Sequence, residues 1–254
     1  MIFGRVLYNN VLRGITPTFS GTTLSGKPPA NATDWSDYTY FTADTGNLDF
    51  TVGADTDIDS VSIYVATTAG SNSIELQYES SPSTYTSLQT YSTPSGTLTF
   101  DDFTPVTVSS GRNIRFVITA ATTMNIRQLV VGEKMVMEQG QWKTVTPPVF
   151  NQGVKVTNNI GQNGSVLSRS IKRLERKGKI QLDHLTNAWV RATWEPFSAH
   201  FARYPFVYQW DESGHPNDVA FAFADKINAP THASAGRLSV SIPISFLVAD
   251  NEAI

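Results

Sequence analysis

The sequence of 254 residues contains no cysteine. This absence excludes a disulfide-stapled scaffold and any zinc or iron–sulfur site that depends on cysteine ligands. Charged residues are also scarce, at 16% of the chain, where soluble domains usually carry about 25%. No apolar run approaches the roughly 18 residues that span a bilayer, and the start MIFGRVLYNN lacks the features of a secretory signal. We therefore expect neither membrane insertion nor secretion.

Motifs of catalysis and cofactor binding are missing as well. The chain has no P-loop, no G-x-S-x-G nucleophile elbow and no H-E-x-x-H zinc motif. None of the four histidines has a second histidine at helical spacing, so they predict no metal site: His184, His200, His215 and His232. The sequence thus predicts a protein that is not an enzyme and that carries no metal or other cofactor.

Two groups of carboxylates are weaker candidates for a functional site. The run 55–59 (DTDID) resembles the start of a calcium loop, but Ser60 and Ala66 stand where that loop needs Gly and Glu. A glycan hydrolase needs two carboxylates at a fixed separation, which only folding could create from the dispersed residues Glu195, Asp211 and Asp218. A solvated turn and a non-catalytic chain are the favoured interpretations.

The net charge of −3 hides an uneven distribution. Residues 1–130 carry 6 Lys and Arg against 11 Asp and Glu, whereas residues 131–254 carry 13 against 11. The second part holds one dense basic cluster, formed by Lys172, Arg173, Arg176, Lys177 and Lys179. Nucleic-acid contact is one interpretation of it, but an acidic chain favours a solvated hairpin tip or a subunit interface that faces an acidic neighbour.

The first part of the chain alternates apolar and polar residues in short runs separated by turn-forming clusters. Alternation with a period of two residues indicates strands, and their number predicts an antiparallel jelly roll or β-sandwich. The predicted strands are Leu48–Val52, Val61–Val65, Ile74–Tyr78, Leu98–Phe100, Val106–Val108, Ile114–Ile118 and Ile126–Val131. Tyr85 and Tyr91 fall in a Ser/Thr-rich stretch that we expect to be loop.

The second part mixes strands with one helix, predicted over about 186–203. Thr186 is a plausible N-cap, and an aromatic stripe follows at Trp189, Thr193, Phe197 and Phe201. Pro196 predicts a kink or two short helices. The predicted strands of this part are Val154–Thr157, Val166–Ile171, Gly178–Leu182, Phe206–Trp210, Val219–Phe223 and Leu238–Val248.

Two domains are therefore expected, a β-sandwich over 1–138 and a β-rich domain over 139–254. Whether residues 1–12 pair with the sandwich or with the C-terminal sheet stays open. In the sandwich, Trp35, Tyr38 and Tyr40 form an aromatic group near a predicted loop. Such rings either stack on sugars or plug the end of the core, and we carry both interpretations.

Three strings resemble a family of tail proteins from tailed bacteriophages: 130–142 (VVGEKMVMEQGQW), 163–223 and 237–248 (RLSVSIPISFLV). The family pattern combines a Gly-x-x-x-x-Arg-Ser strand, a Leu-Thr-x-x-Trp helix, a Trp-Glu-Pro-Phe segment and later Pro-Phe and Pro-Asp turns. The matching residues are Gly164, Arg169, Ser170, Leu185, Thr186, Trp189, Glu195, Pro196, Phe197, Pro205, Phe206, Trp210, Pro216, Asp218 and Val219. Asn217-Asp218 departs from the Asp-Glu that the pattern has there.

The resemblance implies a distal-tail-like structural protein with a discoidin-like sandwich and a ring-forming domain of tail-tube type. It would be assembled in the host cytoplasm and reside in the virion at the tail tip or baseplate. A closed ring, by analogy a hexamer, would join the tail tube protein to the hub and fibre proteins. Two alternatives remain: a carbohydrate-binding module that contacts host or capsular polysaccharide through Trp35, Tyr38 and Tyr40, and, less favoured, a virion-associated glycan hydrolase.

Overall fold

A computed structural model describes residues 4–36, 39–66, 70–92, 94, 96–139, 154–160, 162, 165–173, 176–234 and 236–247. Within these ranges the chain forms a sandwich of two antiparallel sheets, a third sheet with one helical segment, and a two-stranded ribbon. The mainly β fold and the β-sandwich are therefore confirmed. The division after residue 138 stays a prediction.

The first sheet of the sandwich has the order β2-β4-β10-β6-β7. Alternation decides which side chains enter the core: Phe116 lies opposite Leu48 on one neighbouring strand and Leu76 on the other, and all three are fully buried. The strands are β2 Thr18–Phe19, β4 Gly46–Thr51, β6 Asn72–Ser81, β7 Thr84–Ser92 and β10 Asn113–Ala120.

The second sheet of the sandwich has the order β3-β11-β5-β8, with β9 also paired to β5. A short 3-10 helix, Pro29–Ala32, precedes β3. The strands are β3 Phe41–Ala43, β5 Thr56–Val65, β8 Thr97–Leu98, β9 Asp101–Val108 and β11 Met124–Gly132.

The third sheet has the order β12-β1-β16-β17-β19-β15, with β18 paired to β19. It combines the N-terminal strand with the C-terminal half of the chain, and its apolar face packs against the helical segment. The strands are β1 Arg5–Leu7, β12 Met135–Val136, β15 Arg176–Thr186, β16 Phe206–Gln209, β17 Val219–Ala224, β18 Thr231–Ser234 and β19 Arg237–Leu247.

The N-terminal segment belongs to both parts of the chain. Its strand β1 pairs with β12 and β16 of the third sheet, whereas Leu12 is buried in the sandwich core. Between them, the Asn10 amide donates to the carbonyl of Leu129 at 2.9 Å. A Cβ on Gly132 would lie 2.1 Å from the carbonyl oxygen of Asn9, so this close approach requires glycine.

The helical segment is continuous but changes its winding. It comprises α1 Asn187–Trp189, a π-helical stretch over Val190–Trp194, and α2 Glu195–Phe201. The Thr186 hydroxyl accepts from the backbone N–H of Trp189, so the predicted N-cap is observed. Because Pro196 has no N–H to donate into the preceding turn, the wider π-helical winding accommodates it without breaking the helix.

The buried face of this helix differs from the predicted stripe. Val190, Trp194, Phe197 and Phe201 face the core, whereas Trp189 is only partly buried. The observed spacing of four, three and four residues follows the helical repeat, while the predicted stripe of fours drifts off the buried face. Trp194 is therefore the anchor, with an exposed fraction of 2%.

The two-stranded ribbon consists of β13 Val154–Ile160 and β14 Val166–Arg173. The sequence suggested a long strand pair flanking 172–179, but β14 pairs with β13 while β15 pairs with β19. Because β14 ends at Arg173 and β15 begins at Arg176, the basic cluster lies between the ribbon and the third sheet rather than at a hairpin tip.

Replacing Trp194 with alanine should lower the free energy of unfolding by about 3–5 kcal/mol, because it opens a cavity in the core beneath the helix. Trp189→Ala is the matched control, and we expect a clearly smaller loss. Urea denaturation followed by circular dichroism measures both. Equal losses in the two variants would contradict this assignment of the buried face.

Candidate functional site

The sandwich and the third sheet meet at an apolar junction with its own buried cluster. The sandwich contributes Trp35, Tyr64, Leu98, Phe100 and Val130, and the third sheet contributes Leu7, Val207, Val219 and Phe221. Shared burial of this kind holds the two parts of the chain together as one unit.

Arg5 crosses this junction with its charge buried, its exposed fraction being 5%. Toward the sandwich, the guanidinium pairs with Asp102 and donates to the carbonyl of Phe100 at 3.0 Å. Toward the third sheet, it donates to the side chain of Gln209 and pairs with Glu212 at 3.1 Å. A buried cation needs such partners, so both parts must be in place around it.

Trp35 occupies a constrained turn at the edge of the junction. Its φ of +61° lies in the left-handed region, which a bulky residue adopts only when the surroundings enforce it. Asp34 accepts from the backbone N–H of Ser36 at 2.8 Å, and the amide of Gln128 donates to the Ser36 carbonyl at 2.7 Å. This bracing turns the indole into the junction, stacked on Phe221 at 5.6 Å between ring centroids.

Two hollows share Trp35 as a common wall. One, of about 340 Å³, is lined by Asn9, Asn10, Arg13, Gly14, Trp35 and His200. The other, of about 410 Å³, is lined by Asp34, Trp35, Arg203, Tyr204, Pro205 and Phe223, among others. We call the two hollows together the junction cleft. Both parts of the chain supply its walls.

The chemistry of the junction cleft is set by His200, Tyr204 and Arg13. Burial lowers the pKa of His200, and its Nε2 lies 3.0 Å from the carbonyl oxygen of Pro205. Because a carbonyl only accepts, Nε2 carries the proton and Nδ1 of the neutral ring is an acceptor. Arg13 lies over the ring of Tyr204 at 3.5 Å from its centroid and lowers the pKa of that phenol.

One buried polar atom of the junction cleft has no hydrogen-bond partner. It is Nε1 of Trp35, on a side chain with an exposed fraction of 5%. A buried donor left without an acceptor costs about 1–3 kcal/mol, and because the atom itself is buried it faces the packed protein rather than the open hollows.

The predicted sugar-contacting residues have different surroundings in the structure. Trp35 lies in the junction rather than on an open surface, and in this conformation its stacked face is covered by Phe221. Tyr40 is half-buried with the ammonium of Lys27 over its ring, 3.6 Å from the centroid. Tyr38 lies outside the described residues.

The basic cluster lies at the base of the ribbon. Lys172 and Arg173 belong to β14, whereas Arg176, Lys177 and Lys179 belong to β15. Lys177 and Lys179 are exposed, and the Lys179 ammonium donates to Gln181 at 2.8 Å. A subunit interface through this cluster stays a prediction.

The candidate carboxylates take structural partners. Asp55 accepts from the backbone N–H of Ser110 and Asp57 from the hydroxyl of Thr107. In the other group, Asp211 accepts from the backbone of Gly214 at 3.0 Å, and Asp218 from the indole of Trp210 at 3.1 Å. Across the described ranges, no three His, Asp or Glu side chains come close enough to share a metal ion.

Comparison with known proteins gives likeness to solved structures only. No protein-family model matches the sequence, and no curated protein matches it. A pectin-binding carbohydrate-binding module shares 19% identity, covering 47% of this chain and 90% of its own, with a TM-score of 0.40. Module CBM32-1 from a family 31 glycoside hydrolase of Clostridium perfringens shares 14% identity, covering 50% of this chain and 99% of its own, with a TM-score of 0.42.

A third structure is chitosan-binding module 1 from a chitosanase/glucanase of Paenibacillus sp. IK-5, with 19% identity over 49% of this chain and 99% of its own, and a TM-score of 0.41. All three are carbohydrate-binding modules, and their likeness reaches about half of this chain.

Among the described residues, none of the helical stretches has the length and apolar content needed to cross a lipid bilayer.

The sequence does not indicate that Arg13, His200 and Tyr204 belong to one site. They come from separate segments, and His200 was considered only for a metal site, which the spacing of the histidines did not predict. One available indication was Arg13 itself, one of only 6 cationic residues in the first 130. The partner that it stacks on, however, lies 191 positions away and is set by the fold alone.

Arg5→Ala should lower the free energy of unfolding by about 3 kcal/mol, which is the lower end of the usual loss when one partner of a buried ion pair is removed. The lower end is expected because Asp102 still pairs with Lys134 in the variant. Arg112→Ala is the control: its pair with Glu79 is partly exposed and should contribute below about 1 kcal/mol. Guanidinium denaturation followed by tryptophan fluorescence compares them. Equal stability of the two variants would refute a central role for Arg5.

Acidification should destabilise the chain through His200. Because burial lowers the pKa of His200, the folded chain binds this proton less readily than the unfolded chain, whose histidine titrates near pH 6.5. The contribution of neutral His200 to the free energy of unfolding is fully present above about pH 6.5 and declines as the pH falls below that value. The measurement is the difference between the melting temperatures at pH 7.5 and pH 5.5, which should be smaller in His200→Gln than in the wild type. His232→Gln, which alters an exposed histidine, is the control and should show the same difference as the wild type.

Proposed function

We propose that this chain is a non-catalytic structural subunit that assembles with copies of itself through the ribbon β13–β14. The observation that carries the proposal is the isolation of that ribbon. Among the described strands, β13 and β14 pair with each other and with no other strand. A two-stranded hairpin alone in water is at best marginally stable, so the ribbon needs a surface to pack against.

The end of the ribbon where Ile160 pairs with Val166 exposes large apolar side chains. Ile160, Val166 and Leu167 are exposed by 64%, 60% and 73%. Ile160 lies opposite Val166, so their side chains share one face of the ribbon, and Leu167 lies beside them where the strand register shifts. Exposed apolar groups gathered at one end of the ribbon fit contact with another protein surface.

A second copy of this chain is the partner that the charge distribution favours. Residues 1–130 carry a net −5, whereas residues 131–254, which include the ribbon, carry a net +2. Exposed Lys177 and Lys179 follow the ribbon at its base. Head-to-tail contact between the basic region of one copy and the acidic sandwich of the next would bring unlike charges together, and repetition of a heterologous contact closes a ring.

The tail tip of a bacteriophage is the place that we propose for this assembly. The support is the resemblance of residues 163–223 to tail proteins, which includes the Thr186 N-cap and the Glu195–Phe197 start of α2. Tail tube, hub and fibre proteins would then be its neighbours, and the virion its location. The motifs in that stretch mark the helix and sheet of the second part, while the ribbon supplies the contact.

Saccharide binding is the second candidate, and the junction cleft favours it. The cleft combines aromatic walls at Trp35, Tyr204 and Phe223 with hydrogen-bonding side chains at Arg13 and His200. Saccharide sites join aromatic residues with directed hydrogen bonds in this way. This candidate depends on the cleft alone.

The assembly proposal predicts that Ile160→Thr, Val166→Thr and Leu167→Thr together convert an oligomer into a monomer. Threonine keeps the β-branched preference for strands while removing apolar contact area. Light scattering coupled to size-exclusion chromatography measures the mass of the full chain, and negative-stain microscopy shows whether the oligomer is a closed ring. Ile227→Thr, at an apolar residue exposed by 51% outside the ribbon, is the control and should remain oligomeric.

A wild-type chain that stays monomeric at its highest soluble concentration would overturn the assembly proposal. A triple variant that assembles like the wild type would instead remove the ribbon as the contact. The tail placement has its own test, co-purification of the oligomer with the tail tube protein encoded beside it. A glycan array probed with the full chain tests saccharide binding, and the absence of any bound glycan would remove that candidate.

A further inference from the structure

Unpaired cationic charge distinguishes the junction cleft from the rest of the junction. Arg13 and Arg203 are exposed at its walls, and no carboxylate of the described residues lies within ion-pair distance of either. The acidic group of the cleft, Asp34, already accepts hydrogen bonds from Ser36 and from the hydroxyl of Thr39. The cleft therefore offers positive charge to a ligand.

Arg13 is oriented for recognition of a planar anion. Its guanidinium lies over the Tyr204 ring and makes a hydrogen bond to the Tyr204 side chain, and the remaining N–H groups of the guanidinium are available for other acceptors. A carboxylate fits such an edge with two parallel hydrogen bonds. The ring of Tyr204 restricts the side chain, so less conformational entropy is lost when the anion binds.

We propose that the junction cleft binds a carboxylate-bearing sugar, a hexuronate residue of an acidic polysaccharide. Arg13 holds the carboxylate, and Nδ1 of His200 accepts from a hydroxyl group of the sugar. The proposal rests on the saccharide-binding candidate and narrows it to one substrate class. It is independent of the ribbon.

The site requires both parts of the chain. Arg13 and Trp35 come from the N-terminal segment and the sandwich, whereas His200 and Tyr204 come from the end of α2 and the residue run that follows it. The sandwich alone therefore lacks half of the walls. For this reason the full chain is used in every measurement.

Isothermal titration of the full chain with trigalacturonate and trimannuronate tests the proposal, with neutral galactotriose and sodium acetate as comparison ligands. We expect one or both uronates to bind at least tenfold more tightly than galactotriose and acetate, with affinity that falls as salt is raised. Arg13→Gln should weaken uronate binding at least tenfold, and Arg13→Lys should weaken it less.

Arg112→Gln is the matched control, since Arg112 pairs with Glu79 on the sandwich outside the cleft and its loss should leave binding unchanged. Equal affinity for galactotriose would overturn the acidic-sugar proposal and leave saccharide binding standing. Equal affinity for acetate would overturn it in favour of a simple carboxylate site. An Arg13→Gln variant that is folded by circular dichroism and binds like the wild type would refute the role of Arg13. No binding of any saccharide would overturn both proposals.

Discussion

The buried guanidinium of Arg5 is the constraint on which the arrangement of the two parts depends. Arg5 and Leu7 point to the junction while Val6, between them, enters the core beneath the helix. One three-residue strand thus contributes to two cores and places a cation between them. Because Asp102 and the Phe100 carbonyl bind that cation on one side and Gln209 and Glu212 bind it on the other, separation of the parts would remove half of its partners. The contacts at this junction therefore fix the positions of the cleft walls.

The sequence predicted the parts of the fold in which local pattern and burial agree. Val61–Val65 and Ile114–Ile118 alternate cleanly and lie in strands, and Thr186 begins the helix. It did not predict β7, Thr84–Ser92, which was expected to be loop. This edge strand is mostly exposed and polar, with Tyr91 buried in the core and Leu88 packed against it. Pairing with β6 across the two-residue turn after Ser81 makes it a strand, although its own residues lack an apolar alternation that would predict one.

The site was less predictable than the fold, for two physical reasons. The first is that side chains such as Arg13 and Tyr204 meet only through the junction, and no periodicity encodes contact between distant segments. The second is that Trp35 has a positive φ, an angle that aromatic residues rarely adopt and that the Asp34–Ser36 turn and Gln128 enforce together. The group Trp35, Tyr38 and Tyr40 was expected to share one surface, yet this turn directs Trp35 inward while Tyr40 meets Lys27.

The proposed assembly and the proposed ligand binding would use different elements of the chain, and their energetics would differ accordingly. The cleft belongs to a junction whose apolar and ionic contacts exist in a single copy, so its geometry is present before any ligand arrives. The ribbon has no such support within the described chain, and its apolar side chains gain burial only when another surface covers them. Its order is therefore coupled to the assembled state by mass action, and concentration should stabilise the ribbon without changing the cleft. A subunit built in this way can present a preformed binding surface at every position of a ring.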